Sequence, residues 1–227
     1  MPKAFITDID GTLTDEQRRI STHAVEEIRR LVSANIPVVL ASGNTICFVD
    51  TVSKMIGTNG DIIAENGGIY RRGYTGMHHL EGDRELCFVA YQIIVNHFQP
   101  KEGKLRLYSN EYRYSDVAFA RDVDAEEIER LLIGIPVQVV DTGFAIHLQS
   151  PGHSKGTALA RLANLMNLTP TDFLAAGDSI NDVTMLKSAG IAVVPANASP
   201  EARAAADDIM DKPFGEGTAE ALIKYFP

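Results

Sequence analysis

The chain has 227 residues, of which 45% are hydrophobic and 22% charged; that is enough for a buried core, too little for a long repeat array, and suggests one domain or a domain with a smaller insert. A formal charge of −9 repels polyanions, so nucleic acid and anionic membrane surfaces give way to a small ligand as the expected partner. The cysteines Cys47 and Cys87 belong to no Cys-x-x-Cys unit, no apolar run approaches the roughly 18 residues of a membrane span, and Asp8 arrives before any signal-peptide core forms, so a reduced, cytoplasmic protein is expected.

Ala4-Phe5-Ile6-Thr7 reads as a buried strand that delivers Asp8 to its C-terminal edge. Ser21 opens a helix in which Val25, Ile28, Leu31 and Val32 recur at helical spacing, and Pro37 closes it before the strand Val38–Ala41. A helix over Ile46–Ile56, a strand at Ile62–Ala64 and a Gly67-Gly68 turn continue an alternation that implies a parallel sheet covered on both faces. From about Leu80 to Pro151 the texture changes. A helix around Phe88–Phe98, short strands near Leu105–Leu107 and Val117–Ala120, and a helix over Ala125–Ile133 precede paired strands at Val137–Val140 and Ala145–Gln149, joined by an Asp141-Thr142-Gly143 hairpin turn. Ser150-Pro151-Gly152 reads as an exit hinge. The first texture then returns with the helix Lys155–Met166, the strand Phe173–Ala176, the helix Val183–Ala189 and the strand Ile191–Val194. A short helix through Ala202–Ala206 and a last one over Ala219–Phe226 complete the chain. The fold class expected is α/β: a doubly wound, Rossmann-like parallel sheet from residues 1–80 and 152–227, interrupted by a small α+β domain over residues 81–151.

Four clusters carry chemistry, three of them at expected strand C-termini, where open α/β sheets bind ligands. In Asp8-Ile9-Asp10-Gly11-Thr12 two carboxylates one residue apart can serve as nucleophile and proton donor, although such a string alone also marks an ordinary turn. Ser42-Gly43-Asn44 offers a hydroxyl and free amides to a phosphate oxygen, or simply a helix cap. Lys155, first in its helix, suits a developing phosphoryl charge, while a lone helical lysine is usually a solvated one. Gly177-Asp178-Ser179-Ile180-Asn181-Asp182 adds two acids to Asp8 and Asp10, a crowding that a hard divalent cation such as Mg²⁺ would relieve.

In this order Asp8-x-Asp10-Gly11-Thr12, Ser42, Lys155 and Gly177-Asp178-x-x-Asn181-Asp182 resemble the four motifs of haloacid-dehalogenase-like phosphatases. Glu65-Asn66-Gly67-Gly68 and Pro195-Ala196-Asn197-Ala198 resemble the subclass with an α+β cap inserted between the second and third motifs, and the short chain is most similar to archaeal-type phosphoglycolate phosphatases. Asn44 stands where many relatives of that subclass have arginine, which argues against sugar-phosphate specificities carried by that arginine. The resemblance implies that Asp8 attacks phosphorus, that Asp10 acts as acid and base, and that Ser42 and Lys155 hold the phosphoryl oxygens, with Gly43, Asn44, Thr12 and Asn181 as binding or positioning groups. It implies Mg²⁺ held by Asp8, Asp10 and Asp178, with Asp182 either a water-mediated metal ligand or the partner of Lys155. A small phosphorylated metabolite is then the expected substrate, phosphoglycolate first, the insert acts as a lid, and a homodimer is compatible with the chain. Arg106, Arg113 and Arg121 are candidate partners for a substrate carboxylate, and Arg113, between Tyr112 and Tyr114, is the first choice. Competing readings are a sugar-phosphate phosphatase, a phosphotransferase or mutase on the same scaffold, and, remotely, a non-catalytic phosphometabolite-binding protein. A P-loop ATPase is disfavoured, since Gly152-His153-Ser154-Lys155-Gly156-Thr157 lacks the required spacing, and His78-His79 reads as solvated rather than as a metal site.

Overall fold

The computed structural model describes residues 1–99 and 103–227. The chain begins as β1 (Ala4–Thr7), α1 (Thr22–Ser33), β2 (Val38–Ala41), α2 (Ile46–Ile56) and β3 (Asp61–Ala64), then turns back through β4 (Ile69–Arg71) and β5 (His79–Leu80). Next come α3 (Arg84–Phe98), β6 (Val117–Ala120), α4 (Ala125–Leu131), β7 (Gln138–Asp141) and β8 (Ala145–Gln149). The last stretch holds α5 (Lys155–Leu165), β9 (Phe173–Ala176), α6 (Val183–Ser188), β10 (Ile191–Val194), α7 (Pro200–Ala204), β11 (Asp208–Ile209) and α8 (Phe214–Tyr225).

Eight strands form one sheet in the order β11-β10-β9-β1-β2-β3-β4-β5. The run from β11 to β3 is parallel, with Phe5 opposite Val38 and Thr7 opposite both Leu40 and Ala176. Strand residues alternate between two cores. Phe5, Leu40, Ile62 and Leu174 pack with α1, α2 and α8, whereas Ile6, Val39, Ile63 and Ala175 pack with α5, α6 and α7. Burial on both faces is why β2 and β9 read as unbroken apolar runs, and β1 and β3 as apolar but for Thr7 and Asp61. Beyond this expected parallel core, the tight turn at Glu65–Gly68 sends β4 back antiparallel to β3, and β5 pairs antiparallel beyond it.

Residues between β5 and α5 build a second, three-stranded antiparallel sheet, β6-β8-β7. Val117, Phe119, Ile146 and Leu148 point into a separate core with Cys87, Ala90 and Ile94 of α3 and Ile128 of α4, while Ala118, Ala145 and His147 fall on the opposite face. The strand expected near Leu105–Leu107 reduces to one bridging pair, Leu107 with Phe119, flanked by Tyr108 N–H to Ala118 O at 2.8 Å and Ala120 N–H to Arg106 O at 2.9 Å. Helix α8 starts at Phe214, five residues ahead of the expected Ala219. Gly215 and Gly217 hide that start, because glycine is a poor helix former; Gly215 is required by contact, since a Cβ there would lie 2.7 Å from the Leu13 carbonyl oxygen.

Two local devices place the N-terminus of α5. Ser154 and Thr157 form a reciprocal capping box, and Gly67, at φ 101°, lets the turn after β3 press against the carbonyl of Ser154, where a Cβ would come within 2.1 Å of oxygen. Gly67→Ala combines a left-handed backbone with that overlap, so it is expected to destabilise the protein by more than about 2 kcal/mol. Chemical denaturation measures the loss; an unchanged midpoint would contradict the close approach.

Candidate active site

Because β9, β1 and β2 are adjacent and parallel, the segments that follow them leave the sheet side by side. This brings Asp8 and Asp10, Ser42 to Asn44, and Asp178 to Asp182 to one edge, and α5 delivers Lys155 to the same point. The Lys155 ammonium is fully buried and donates to Asp8 Oδ1 at 2.5 Å and to Asp182 Oδ1 at 2.6 Å. The other carboxylate oxygen of Asp182 accepts the backbone N–H groups of Asp178 at 3.0 Å and Ser179 at 3.1 Å. Both oxygens of Asp182 are thus engaged in holding Lys155 and the loop after β9. Thr12 Oγ1 donates to Asp178 Oδ1 at 2.9 Å.

The neighbouring groups position one another. Asn44 Nδ2 donates to Asp10 Oδ2 at 2.7 Å and to Ser42 Oγ at 3.2 Å, so the amide at this position orients the second acid of the first motif. Asn181 Nδ2 donates to Asn66 Oδ1 at 2.9 Å, and Asn66 in turn leans on Gly43, where a Cβ would lie 2.9 Å from that same oxygen. Asn66 itself sits in the left-handed region at φ 54°.

Charge is concentrated here and largely buried: Asp8, Asp182 and Lys155 are each 5% exposed or less. Burial pushes the Asp8 carboxyl well above its ordinary value in spite of Lys155, with Asp182, Asp178 and Asp10 adding repulsion. Burial and then the charge of Asp182 raise Asp178 to about 7, against the hydrogen bond from Thr12. For Lys155, burial favours the neutral amine, but Asp182 and Asp8 outweigh it and hold the ammonium above its ordinary range. One oxygen each from Asp8, Asp178 and Asp182 lie within 4.8 Å of one another. Three carboxylates against one ammonium leave excess negative charge in a buried space, and an all-oxygen donor set fits a metal ion of the hard, divalent kind.

The edge faces a cavity of about 410 Å³ whose far wall is the open face of the small sheet, including Ala118, Ala145 and His147. Arg113 lines it too, but is 6% exposed and already occupied. Its Nε donates to Tyr108 O at 3.0 Å, one terminal nitrogen pairs with Asp116 at 2.7 Å, and both terminal nitrogens reach Gly43 O at 3.2 and 3.3 Å. The expectation of an open cation between Tyr112 and Tyr114 is therefore corrected: Asp116, buried beside it, claims the guanidinium. Arg121 turns away, paired with Asp141 at 2.7 Å in an exposed position.

Glu65 and His147 carry roles that the sequence reading leaves unassigned. Glu65 accepts Tyr114 N–H, Ser115 N–H at 2.8 Å and Ser115 Oγ at 2.6 Å, tying the segment before β6 to the turn after β3. His147 Nδ1 lies 2.9 Å from Asp116 Oδ2. Signals for both were available: Glu65 follows β3 on the same sheet edge, and His147 falls between Ile146 and Leu148, out of step with the apolar face of its strand.

Asp178 generates a pH-dependent test. Without metal its folded value of about 7 exceeds the 3.8 of an ordinary aspartate, so between those pH values the folded state binds the extra proton and stability falls as pH rises. A divalent cation selects the ionised carboxylate and should remove much of that loss. Unfolding midpoints at pH 5 and 7.5, with chelator and with a divalent cation, are expected to diverge at the higher pH. Parallel pH dependences would contradict a metal site at Asp178.

Similarity to known proteins follows the same geometry. The profile of the haloacid dehalogenase-like hydrolases matches residues 5–133 and 119–222. A phosphoglycolate phosphatase of Methanoculleus marisnigri is 52% identical over 229 residues, spanning 100% of this chain and 98% of that protein. A phosphoglycolate phosphatase of Archaeoglobus fulgidus is 39% identical, spanning 97% and 96% respectively. A crystal structure from Thermoplasma acidophilum superimposes with a TM-score of 0.88 at 27% identity, covering 100% of this chain and 99% of that one.

Proposed function

The chain belongs to the haloacid dehalogenase-like hydrolase family, and from that premise we propose that it is a Mg²⁺-dependent phosphomonoester hydrolase acting on 2-phosphoglycolate through an aspartyl-phosphate. The observation that carries this reading is the buried Asp8 carboxylate, gripped by Lys155 at the mouth of a cavity of about 410 Å³, with Asp10 beside it held by Asn44. The names of the full-length relatives support phosphoglycolate as the substrate, and the modest cavity agrees with a small phosphorylated acid. We take residues 81–151 as the cap that excludes water when substrate is bound.

In this reading one oxygen of Asp8 forms a bond to phosphorus as the ester P–O bond breaks, and Asp10 gives a proton to the departing glycolate oxygen. Asp10, now a carboxylate, takes a proton from water as the water oxygen bonds to phosphorus and the Asp8–phosphorus bond opens, restoring both acids. Asn44 keeps Asp10 oriented for both transfers. Lys155 and Ser42 hold phosphoryl oxygens, and Asp182 keeps Lys155 aimed. A bound Mg²⁺, held by Asp8, Asp178 and the Asp10 carbonyl, would offset the charge that grows on the phosphoryl group.

Hydrolysis of a panel of phosphorylated metabolites with Mg²⁺ tests the proposal. Phosphoglycolate should lead the panel, chelator should abolish turnover reversibly, and Asp8→Asn should lower kcat by several orders of magnitude while the protein stays folded. Near wild-type hydrolysis by Asp8→Asn would remove the covalent mechanism; hexose phosphates ahead of phosphoglycolate would remove the substrate assignment.

A further inference from the structure

The open face of the small sheet presents Arg106 and His147 to the cavity. Leu105, Leu107, Val117, Phe119, Ile146 and Leu148 turn into the separate core. By the two-residue alternation of paired strands, Arg106, Tyr108, Ala118 and His147 face the cavity, and all four line it. Tyr108 pairs with Ala118 by a backbone hydrogen bond, Ala118 stands opposite His147, and the small alanine leaves a hollow between them.

Of the three arginines that the sequence offers to a carboxylate, Arg113 and Arg121 are already paired with acids. Arg106 has no acid within ion-pair distance among the described residues, and its guanidinium rests 5.2 Å from the centroid of the Tyr108 ring, a contact that orients it without neutralising it. His147 is 5% exposed. Its Nδ1 faces the Asp116 carboxylate, an acceptor only, so Nδ1 carries a proton and Nε2 is the nitrogen left for the cavity. In the imidazolium form Nε2–H is a donor toward the cavity. Across the cavity stand Asp8 and Asp10, whose charge a phosphorylated acid must avoid with its second anionic group.

We infer that Arg106 and His147 form the subsite that binds the carboxylate of the substrate, with Asp116 as the residue that positions His147. This assignment rests on the phosphoglycolate reading and deepens it. Arg106 supplies paired N–H donors to a planar carboxylate, His147 supplies one more from a rigid strand, and the phosphoryl group is left to the Asp8 and Ser42 edge at the other wall.

The test compares phosphoglycolate, glycerol phosphate and p-nitrophenyl phosphate in wild type, Arg106→Ala, Arg106→Lys, His147→Ala and His147→Gln. Arg106→Ala and His147→Ala should each raise KM for phosphoglycolate by about 10- to 100-fold, the loss of one charge-assisted contact. Both should keep kcat/KM for p-nitrophenyl phosphate within about threefold, which also certifies folding. Arg106→Lys and His147→Gln, which retain a donor, should recover part of the KM loss. Equal effects on both substrates, or none on either, would overturn the subsite while leaving phosphoglycolate hydrolysis intact. Selective loss on glycerol phosphate would overturn it in favour of hydroxyl recognition by a neutral His147. A wild type that prefers p-nitrophenyl phosphate or glycerol phosphate to phosphoglycolate would overturn the proposed function, and the subsite with it.

Discussion

An ammonium sealed from water must be surrounded by carboxylates, and much of the catalytic edge is arranged to meet that demand at Lys155. Asp8 comes from the end of β1, Asp182 from the turn before α6, and Lys155 from the first residue of α5, so one buried ion triad joins three separate segments. Removing either acid would leave the ammonium a single carboxylate partner, and removing the lysine would leave Asp8 and Asp182 repelling each other in a site that burial already makes unfavourable for charge. The capping box at Ser154 and the glycine at position 67 belong to the same demand, since a shift in the start of α5 would move Nζ away from both partners.

The two sheets are fastened by a second polar arrangement. Burial raises the Glu65 carboxyl above its ordinary value, and Asp116 adds to the effect, yet three hydrogen bonds from Tyr114 and Ser115 hold it in place. Asp116 behaves oppositely: burial opposes its ionisation, but Arg113 and His147 prevail and keep it below the ordinary range. Arg113 thereby serves two masters, neutralising Asp116 and gripping the carbonyl of Gly43 next to Ser42. An insert fixed to the Ser42–Asn44 loop in this manner carries the position of the small sheet directly to the Asp10 carboxylate that Asn44 holds.

Residues whose placement follows from strand position are legible in the sequence. Asp8, Ser42 and Asp178 lie just past apolar runs buried on both faces, and the parallel order of β9, β1 and β2 does the rest. Lys155 was legible only as part of the constellation, because nothing local distinguishes a buried lysine from a solvated one. Arg113 reads differently in sequence and structure for a physical reason: its partner Asp116 lies three residues away, but its other partners, Tyr108 O and Gly43 O, are backbone atoms that composition does not reveal. Strands β4 and β5 escaped because two or three residues give no periodicity to read, and the start of α8 because glycine there serves a contact rather than helix propensity.

Both edges of the large sheet end in strands of only two residues, β11 on one side and β5 on the other, and the β5 side is finished by His79 stacked flat on Tyr70 at 4.8 Å. A two-residue rim presents very few free amides and carbonyls to a neighbouring chain. Edge-to-edge polymerisation, the hazard of every open sheet, therefore finds little template on the large sheet, and a second copy of the protein would have to meet that sheet's rims through side chains rather than by lengthening it.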